Sequence, residues 1–208
     1  METANNNMTA ERSLEIIAKT IEQSRHEVSS RSAKYLLLWG ILVAITSLIV
    51  GHLWQRSGNP TWNYLWFAMT LVGVIAERLL AKREKTHTTG IIPTLIGNVW
   101  ATFGFFAIGI ILALLIAYSI TPLPNNDIPL TGVFALLMGM ATAMTGWILK
   151  KNILTFCGIF TGILGLILDL YIDGGYEMFI ITGMAIVGLI IPGLYLMSKY
   201  AAPHSHNA

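Results

Sequence analysis

Three carboxylates four residues apart stand at the end of an apolar run: Asp169, Asp173 and Glu177, in the stretch LILDLYIDGGYE. On a continuous helix, residues spaced by four share one face, so the three acids could bind a cation or carry protons. Acidic side chains near lipid are candidates for function because placing them there is unfavourable. These residues are the weak metal candidates of the chain, and the sequence predicts no firm metal or cofactor site.

A turn in water is the interpretation that the neighbouring residues favour. The pair Gly174-Gly175 is typical of a helix end, and Asp169 lies eighteen residues after Lys151. Eighteen residues of helix span about 27 Å, which places Asp169 at the outer edge of a bilayer and away from the midplane, where transporter sites usually lie. We expect an acidic outer turn with Asp173 capping the glycine bend, and a loose cation site stays open as the alternative.

Other residue types give little sign of catalysis. The chain has no HExxH, GxSxG, GxGxxG or P-loop motif, and its one cysteine, Cys157, allows neither a disulfide framework nor a CxxC metal site. Glu77, near the inner membrane boundary, is expected to pair with Arg78 or with the basic residues at 82–85. Threonines near mid-depth can bond to their own backbone; they are Thr70, Thr102, Thr142, Thr161 and Thr182. The sequence therefore predicts a protein without enzymatic activity and without catalytic or cofactor-binding residues.

The composition points to a membrane protein. Hydrophobic residues make up 54% of the 208 residues and charged residues only 12%, whereas soluble domains carry about 25% charged residues. A spanning helix needs about 20 mostly apolar residues, and six runs meet this requirement, at about 35–54, 62–80, 96–120, 130–149, 153–171 and 176–200. Breakers separate the runs, among them the stretch 122–127, and Pro93 leaves an earlier start open for the third. We predict an all-α integral membrane protein with six transmembrane helices in a domain at 35–200.

The basic residues predict how this domain is oriented. Twelve of the thirteen Lys and Arg residues fall in alternate compartments counted from the N-terminus, and only Arg56 lies on the other side. Cytoplasmic loops carry such an excess of positive charge. Both termini are therefore expected in the cytoplasm, with a cytoplasmic tail at 201–208. No nucleic-acid partner is predicted.

The first 34 residues contain an amphipathic helix. Leu14, Ile17, Ile21 and Val28 recur at steps of three, four and seven, as on one helix face. The polar residues around them alternate in charge, whereas a helix lying on anionic lipid is rich in Lys and Arg. We expect these four residues to contact a cytosolic protein or a second copy of the chain, or else to fold against the cytoplasmic loops. Residues 9–39 contain no Gly or Pro, so the helix could continue into the first span, with 29–32 as its weakest point.

Small residues mark the helix faces expected to pack. The fourth run carries Gly132, Gly139 and Gly146 at steps of seven, and the fifth carries Gly158, Gly162 and Gly165. Such faces let helices approach closely in lipid. The pattern predicts packing between spans four and five, with a homodimer through one of these faces as the competitor. Pro192-Gly193 predicts a kink in the sixth span.

The stretches 13–39 and 62–104 combine an amphipathic leader before LLWG, a Trp-rich second span and a basic loop that leads to VWATFG. In these features the chain resembles a group of uncharacterised small multi-pass inner-membrane proteins of Bacteroidetes-type bacteria, often encoded beside winged-helix regulators. The last three spans add only hydrophobicity to the likeness. The resemblance implies an inner-membrane protein that regulates or senses, and it supplies no catalytic residues.

The sequence leaves three functions open. The first is a non-enzymatic inner-membrane protein that acts as a sensory or regulatory partner of a cytosolic protein through its N-terminal helix. The second is a small transporter or channel for a cation or small solute, which needs a water-filled cavity that reaches the mid-depth threonines. The third is an unrecognised membrane enzyme, which needs converging polar side chains such as Asp169, Asp173 and His52.

Overall fold

The computed structural model of the protein describes residues 2–83, 90–120 and 129–200, and all the elements in these ranges are helical. The predicted breaker segment 122–127 and the tail 201–208 lie outside the described residues. Six of the described helices are long and apolar enough to cross a membrane, which confirms the expected number. The elements are α1 (Glu2–Ser57), a 3-10 turn (Pro60–Tyr64), α2 (Leu65–Arg83), α3 (Ile91–Ile120), α4 (Leu130–Leu149), α5 (Asn152–Asp169), a second 3-10 turn (Gly174–Tyr176), α6 (Glu177–Ala185), a π-helical segment (Ile186–Ile190) and α7 (Ile191–Tyr200).

The N-terminal amphipathic helix and the first span form one uninterrupted helix. α1 has 56 residues and would measure about 84 Å at the usual rise per residue. The serines expected to weaken it are buried instead: Ser29 is fully enclosed and Ser32 is 8% exposed. The Ser29 hydroxyl donates to the carbonyl of Arg25 at 2.7 Å, so it stays satisfied inside the helix. Small side chains here let neighbouring helices approach α1 closely.

Helices α4 and α5 form a close pair, and the predicted glycines lie at their contact. A Cβ on Gly139 would come within 2.5 Å of the Gly158 carbonyl oxygen and 2.6 Å of the Gly162 Cα. The other glycines meet the partner helix similarly, with nearest atoms at 2.5–3.3 Å for Gly132, Gly146, Gly158, Gly162 and Gly165. These faces are therefore occupied within one chain, and the competing homodimer would have to use another surface.

The ends of the bundle differ in charge. At one, the basic end, Val28 packs in a core cluster with the start of α3, the α4–α5 turn and α7, through Ile92, Leu149, Leu154 and Leu196. His26 meets Tyr200 edge to face at 4.9 Å, and Lys151 donates to the Tyr200 hydroxyl. At the other, the acidic end, α1 passes the second 3-10 turn and the start of α6, where a Cβ on Gly51 would meet the Gly175 carbonyl oxygen at 3.1 Å and Met178 at 2.8 Å.

The sixth span changes helix type before its proline. The π-helical segment Ile186–Ile190 precedes Pro192, which has no N–H and would clash with the carbonyl four residues earlier in a regular α-helix. A π-turn widens the helix where that clash would occur. The helix therefore has a π-bulge just before Pro192, and the kink expected at Pro192-Gly193 stays a prediction.

Helices α2 and α3 lie at the periphery. Of the most apolar stretch of α3 no residue is buried among the described residues, and in α2 only Gly73 is buried. α3 begins at Ile91, five residues before the expected start at 96, with Pro93 in its first turn. Proline is tolerated there because the first N–H groups of a helix have no intrahelical acceptor. The earlier start that Pro93 had left open is the one observed.

Candidate functional site

The acidic end brings two of the three predicted carboxylates to the start of α4. Asp169 is 6% exposed, and its Oδ2 accepts from the Gly132 backbone N–H at 2.6 Å. Gly132 is the third residue of α4, so this N–H is one of the four that a helix start leaves without an intrahelical acceptor. Asp169 is the last residue of α5, and its carboxylate lies at the positive N-terminus of α4, which favours an anion.

Glu177 binds the same helix start and also holds the glycine bend. Its Oε2 accepts from the Thr131 hydroxyl at 2.8 Å, and its Oε1 accepts from the Gly174 N–H at 2.9 Å. Gly174 has a φ of +70°, a conformation suited to glycine. The prediction that Asp173 caps the bend is wrong, because Asp173 makes no capping bond and is exposed. Glu177 lies within the following turn and can fold back onto it.

This arrangement fastens α5 and α6 to the start of α4. Three of the four carboxylate oxygens of Asp169 and Glu177 accept hydrogen bonds, and the fourth, Asp169 Oδ1, is buried without a partner among the described residues. Within those residues no group of three or more His, Cys, Asp or Glu side chains is placed to hold a metal ion. The acids therefore act as ties between helices in this structure.

A second polar contact joins α1 to α2. Trp39 Nε1 donates to Glu77 Oε2 at 3.1 Å, and a Cβ on Gly73 would meet the Trp39 ring at 2.6 Å. Gly73 and Glu77 are one turn apart on α2, so the indole lies on the glycine and bonds to the acid beside it. The expected pairing of Glu77 with Arg78 or the basic cluster is replaced, within the described residues, by this bond to a tryptophan.

Four of the five mid-depth threonines bond to their own helix, and Thr70 donates to the Trp66 carbonyl at 2.8 Å. Thr142, Thr161 and Thr182 each donate to the carbonyl four residues earlier, at 2.7–3.0 Å. The Ser47 and Thr182 hydroxyls also lie 2.7 Å apart and tie α1 to α6. Two open surface hollows of the described structure lie elsewhere, at 60–67 and at 105–113, and no mid-depth threonine lines either.

The stripe predicted on the N-terminal helix divides into an exposed and a buried part. Leu14, Ile17 and Ile21 are 66%, 55% and 43% exposed, and we call these three residues the α1 stripe. Val28 is 4% exposed and packs against the chain's own helices, so it is not available to a partner. Burial of Val28 follows from the level at which the other helices reach α1, which the apolar spacing alone does not reveal.

Comparison of the chain with protein-family models, with curated proteins and with solved structures found no match.

Sequence reasoning missed three contacts that the fold uses. They are the Trp39–Glu77 bond, the Ser47–Thr182 pair and the bond from Thr131 to Glu177. Each joins residues that are 38 or more positions apart in the chain, so no local pattern marks the partner. Gly73 and Glu77 one turn apart were the one signal, because a glycine beside an acid on an apolar helix leaves room for a large hydrogen-bond donor.

Proposed function

We propose that the protein is a non-enzymatic, multi-pass inner-membrane protein that acts as a sensory or regulatory partner of a cytosolic protein. Its basic end faces the cytoplasm, and the α1 stripe is the contact. The continuity of α1 is the observation that carries this proposal. The helix that presents Leu14, Ile17 and Ile21 to solvent is the same helix that packs against α2, α6 and α7.

The stripe is too apolar to be explained as a solvated surface. Each of the three aliphatic residues on this face is at least 43% exposed, and no described helix covers them. Exposed apolar patches of this kind mark interaction sites in soluble regions. Because α1 is unbroken, a partner bound to the stripe is coupled mechanically to the membrane bundle, which suits a protein that relays a state of the membrane.

The test is co-purification from native membranes with the stripe changed and the rest of the chain intact. In the variant Leu14→Ser/Ile17→Ser/Ile21→Ser we expect the partner to be lost while the protein stays folded, since none of the three side chains is buried. Ile16→Ser is the matched control, because Ile16 is 60% exposed on another side of the helix. An identical set of co-purifying proteins from the triple variant and the wild type would refute the proposal.

A further inference from the structure

Helix α3 carries a row of exposed residues on its outer side. The row, which we call the α3 seam, recurs at alternating steps of three and four: Leu95, Asn98, Thr102, Phe105, Gly109 and Leu112. This spacing is the pattern by which one helix pairs with another along its length. Ile96 and Trp100, which pack against the bundle core, lie about 120° and 160° around the helix axis from Thr102. The α3 seam therefore faces away from the bundle.

Two polar side chains of the α3 seam lie at the depth of a bilayer core. Ile92 of α3 and Leu149 of α4 belong to one core cluster, so the start of α3 is level with the end of α4 and the two helices run antiparallel. Asn98 and Thr102 lie about 9 Å and 15 Å further along α3. The 20 residues of α4 just cross a hydrocarbon core of about 30 Å. Thr102 would therefore lie near the middle of that core.

Neither polar side chain has a partner within the described chain. Asn98 and Thr102 make no hydrogen bond to any described residue, whereas the other four mid-depth threonines donate to their own helix. Hydrocarbon offers no hydrogen bonds, and polar side chains of spanning helices bond across to a neighbouring helix. A helix from outside the chain is therefore the partner that these two residues require.

The α3 seam also contains a hollow with a large side chain beside it. The hollow is lined by Phe105, Phe106, Gly109, Ile110 and Ala113, and a Cβ on Gly109 would meet no described atom within 4 Å. Phe105 is 76% exposed and lies one turn before Gly109. In paired parallel helices, side chains of one helix fill the spaces between those of the other. Phe105 of one copy therefore fits over Gly109 of another copy.

These features select a second copy of the chain as the occupant. An Asn amide both donates and accepts hydrogen bonds, so the Asn98 side chains of two copies satisfy each other. A single Asn at such a position also sets the register of a helix pair. A two-fold axis along the membrane normal brings the same patch of both copies together. The other flank of α3, at Gly97 and Gly104, has no side chain for such a bond.

We infer that the α3 seam joins two copies of the chain in the membrane, with their α3 helices parallel. Asn98 bonds to the same residue of the second copy, and Phe105 of each copy packs over Gly109 of the other. This inference goes beyond the proposed function and does not depend on it. The glycine contact between α4 and α5 stays within each copy, and the two α1 stripes lie on the same side of the membrane.

Förster transfer between labelled copies provides the test. The full-length variant Cys157→Ser/Arg56→Cys is labelled with a donor or an acceptor dye, and both forms are reconstituted together in phosphatidylcholine liposomes at increasing lipid content. We expect transfer above the level of random proximity, which falls as dilution separates the pair. Asn98→Leu should weaken dimerisation about threefold or more, as expected for one hydrogen bond between helices.

Gly109→Leu should weaken dimerisation about tenfold or more, because the new side chain fills the hollow that receives Phe105. Gly97→Leu is the matched control and should dimerise like the unsubstituted chain. Gly97 is equally open, with no described atom within 4 Å of an added Cβ, but it lies about 140° around the axis from Thr102. All three substituted residues are exposed, so the variants should fold.

Disulfide cross-linking in native membranes identifies the face directly. In the Cys157→Ser background, Leu112→Cys should give an oxidised dimer, and Leu115→Cys, which is 62% exposed beside the α3 seam, should give much less. Transfer at the random level would overturn the inference, since lipid or another protein would then cover α3. Equal cross-linking from the two cysteines would also overturn it, as would a dimer weakened by Gly97→Leu and not by Gly109→Leu.

Discussion

Asp169 and Glu177 show how a single residue's environment decides its role. Both were candidates for ion chemistry, and both accept hydrogen bonds from the first turn of α4 or from the glycine bend. The start of a helix offers unpaired N–H groups and a partial positive charge, so a carboxylate there stabilises the contact between two helices. A hydrogen bond to a charged acceptor contributes about 1.5–3 kcal/mol to stability, so Asp169 is a stabilising residue of the acidic end.

The variant Asp169→Ala should lower the free energy of unfolding by about 1–3 kcal/mol, because the Gly132 N–H would be left buried without an acceptor. Asp169→Asn keeps an acceptor oxygen and should lose less. Unfolding of the purified protein in mixed micelles, titrated with a denaturing detergent, measures the difference. Asp173→Ala is the matched control and should change the free energy of unfolding by no more than about 0.5 kcal/mol. A loss for Asp173→Ala as large as that for Asp169→Ala would contradict this assignment.

At the scale of the elements, the pair α4–α5 depends on backbone contact. The Gly158 carbonyl and the Gly162 Cα lie where a Gly139 side chain would begin. Helices in lipid gain little from the hydrophobic effect and associate through close packing. The glycines of α3 provide a contrast, because Gly97, Gly104 and Gly109 have nothing within 4 Å of an added Cβ among the described residues.

Gly139→Ala should therefore destabilise the protein by about 1–3 kcal/mol, as expected when a group is forced into a filled core. The same detergent titration measures it. Gly104→Ala should leave stability unchanged or raise it by up to about 1 kcal/mol through helix propensity. Equal effects of the two substitutions would mean that α4 and α5 do not pack as described.

The sequence predicted the elements far better than the contacts between them. Apolar run length and the Gly spacing predicted six helices and the faces of α4 and α5, because both signals are local. The hydrogen-bond partners of the acidic residues could not be predicted from neighbouring residues in the chain. Whether Glu177 or Asp173 holds Gly174, and whether Trp39 or a cation meets Glu77, depends on how distant helices cross. The burial of Val28 and the exposure of Ile21 likewise depend on where the other helices end.

At the scale of the whole molecule, the two ends of the bundle differ in charge and in shape. The basic end carries the extension of α1 and the exposed cations of α2, and the acidic end carries the ties to α4. Positive residues are retained in the cytoplasm, so we expect the basic end inside. The α1 stripe would then lie where a soluble cytosolic protein can reach it.

Labelling of single cysteines tests this orientation. In a Cys157→Ser background, Arg56→Cys should react with a membrane-impermeant maleimide on intact cells whose outer membrane has been made permeable. Ala81→Cys should react only after the inner membrane is opened. Both positions are exposed in the structure, so a failure to label reports the side of the membrane. The reverse pattern would place the α1 stripe outside the cell and remove the cytosolic partner from the account.

The most direct test of the central claim is site-specific photo-cross-linking in the cells that make the protein. A benzophenone amino acid is placed at Ile17, within the α1 stripe, or at Gln23, which is exposed on another side of the same helix. The account predicts that Ile17 forms an adduct with a soluble cytosolic protein and that Gln23 does not. An adduct of Ile17 with a second copy of the chain alone, or equal adducts from the two positions, would contradict the claim that the α1 stripe is a docking face for a cytosolic partner.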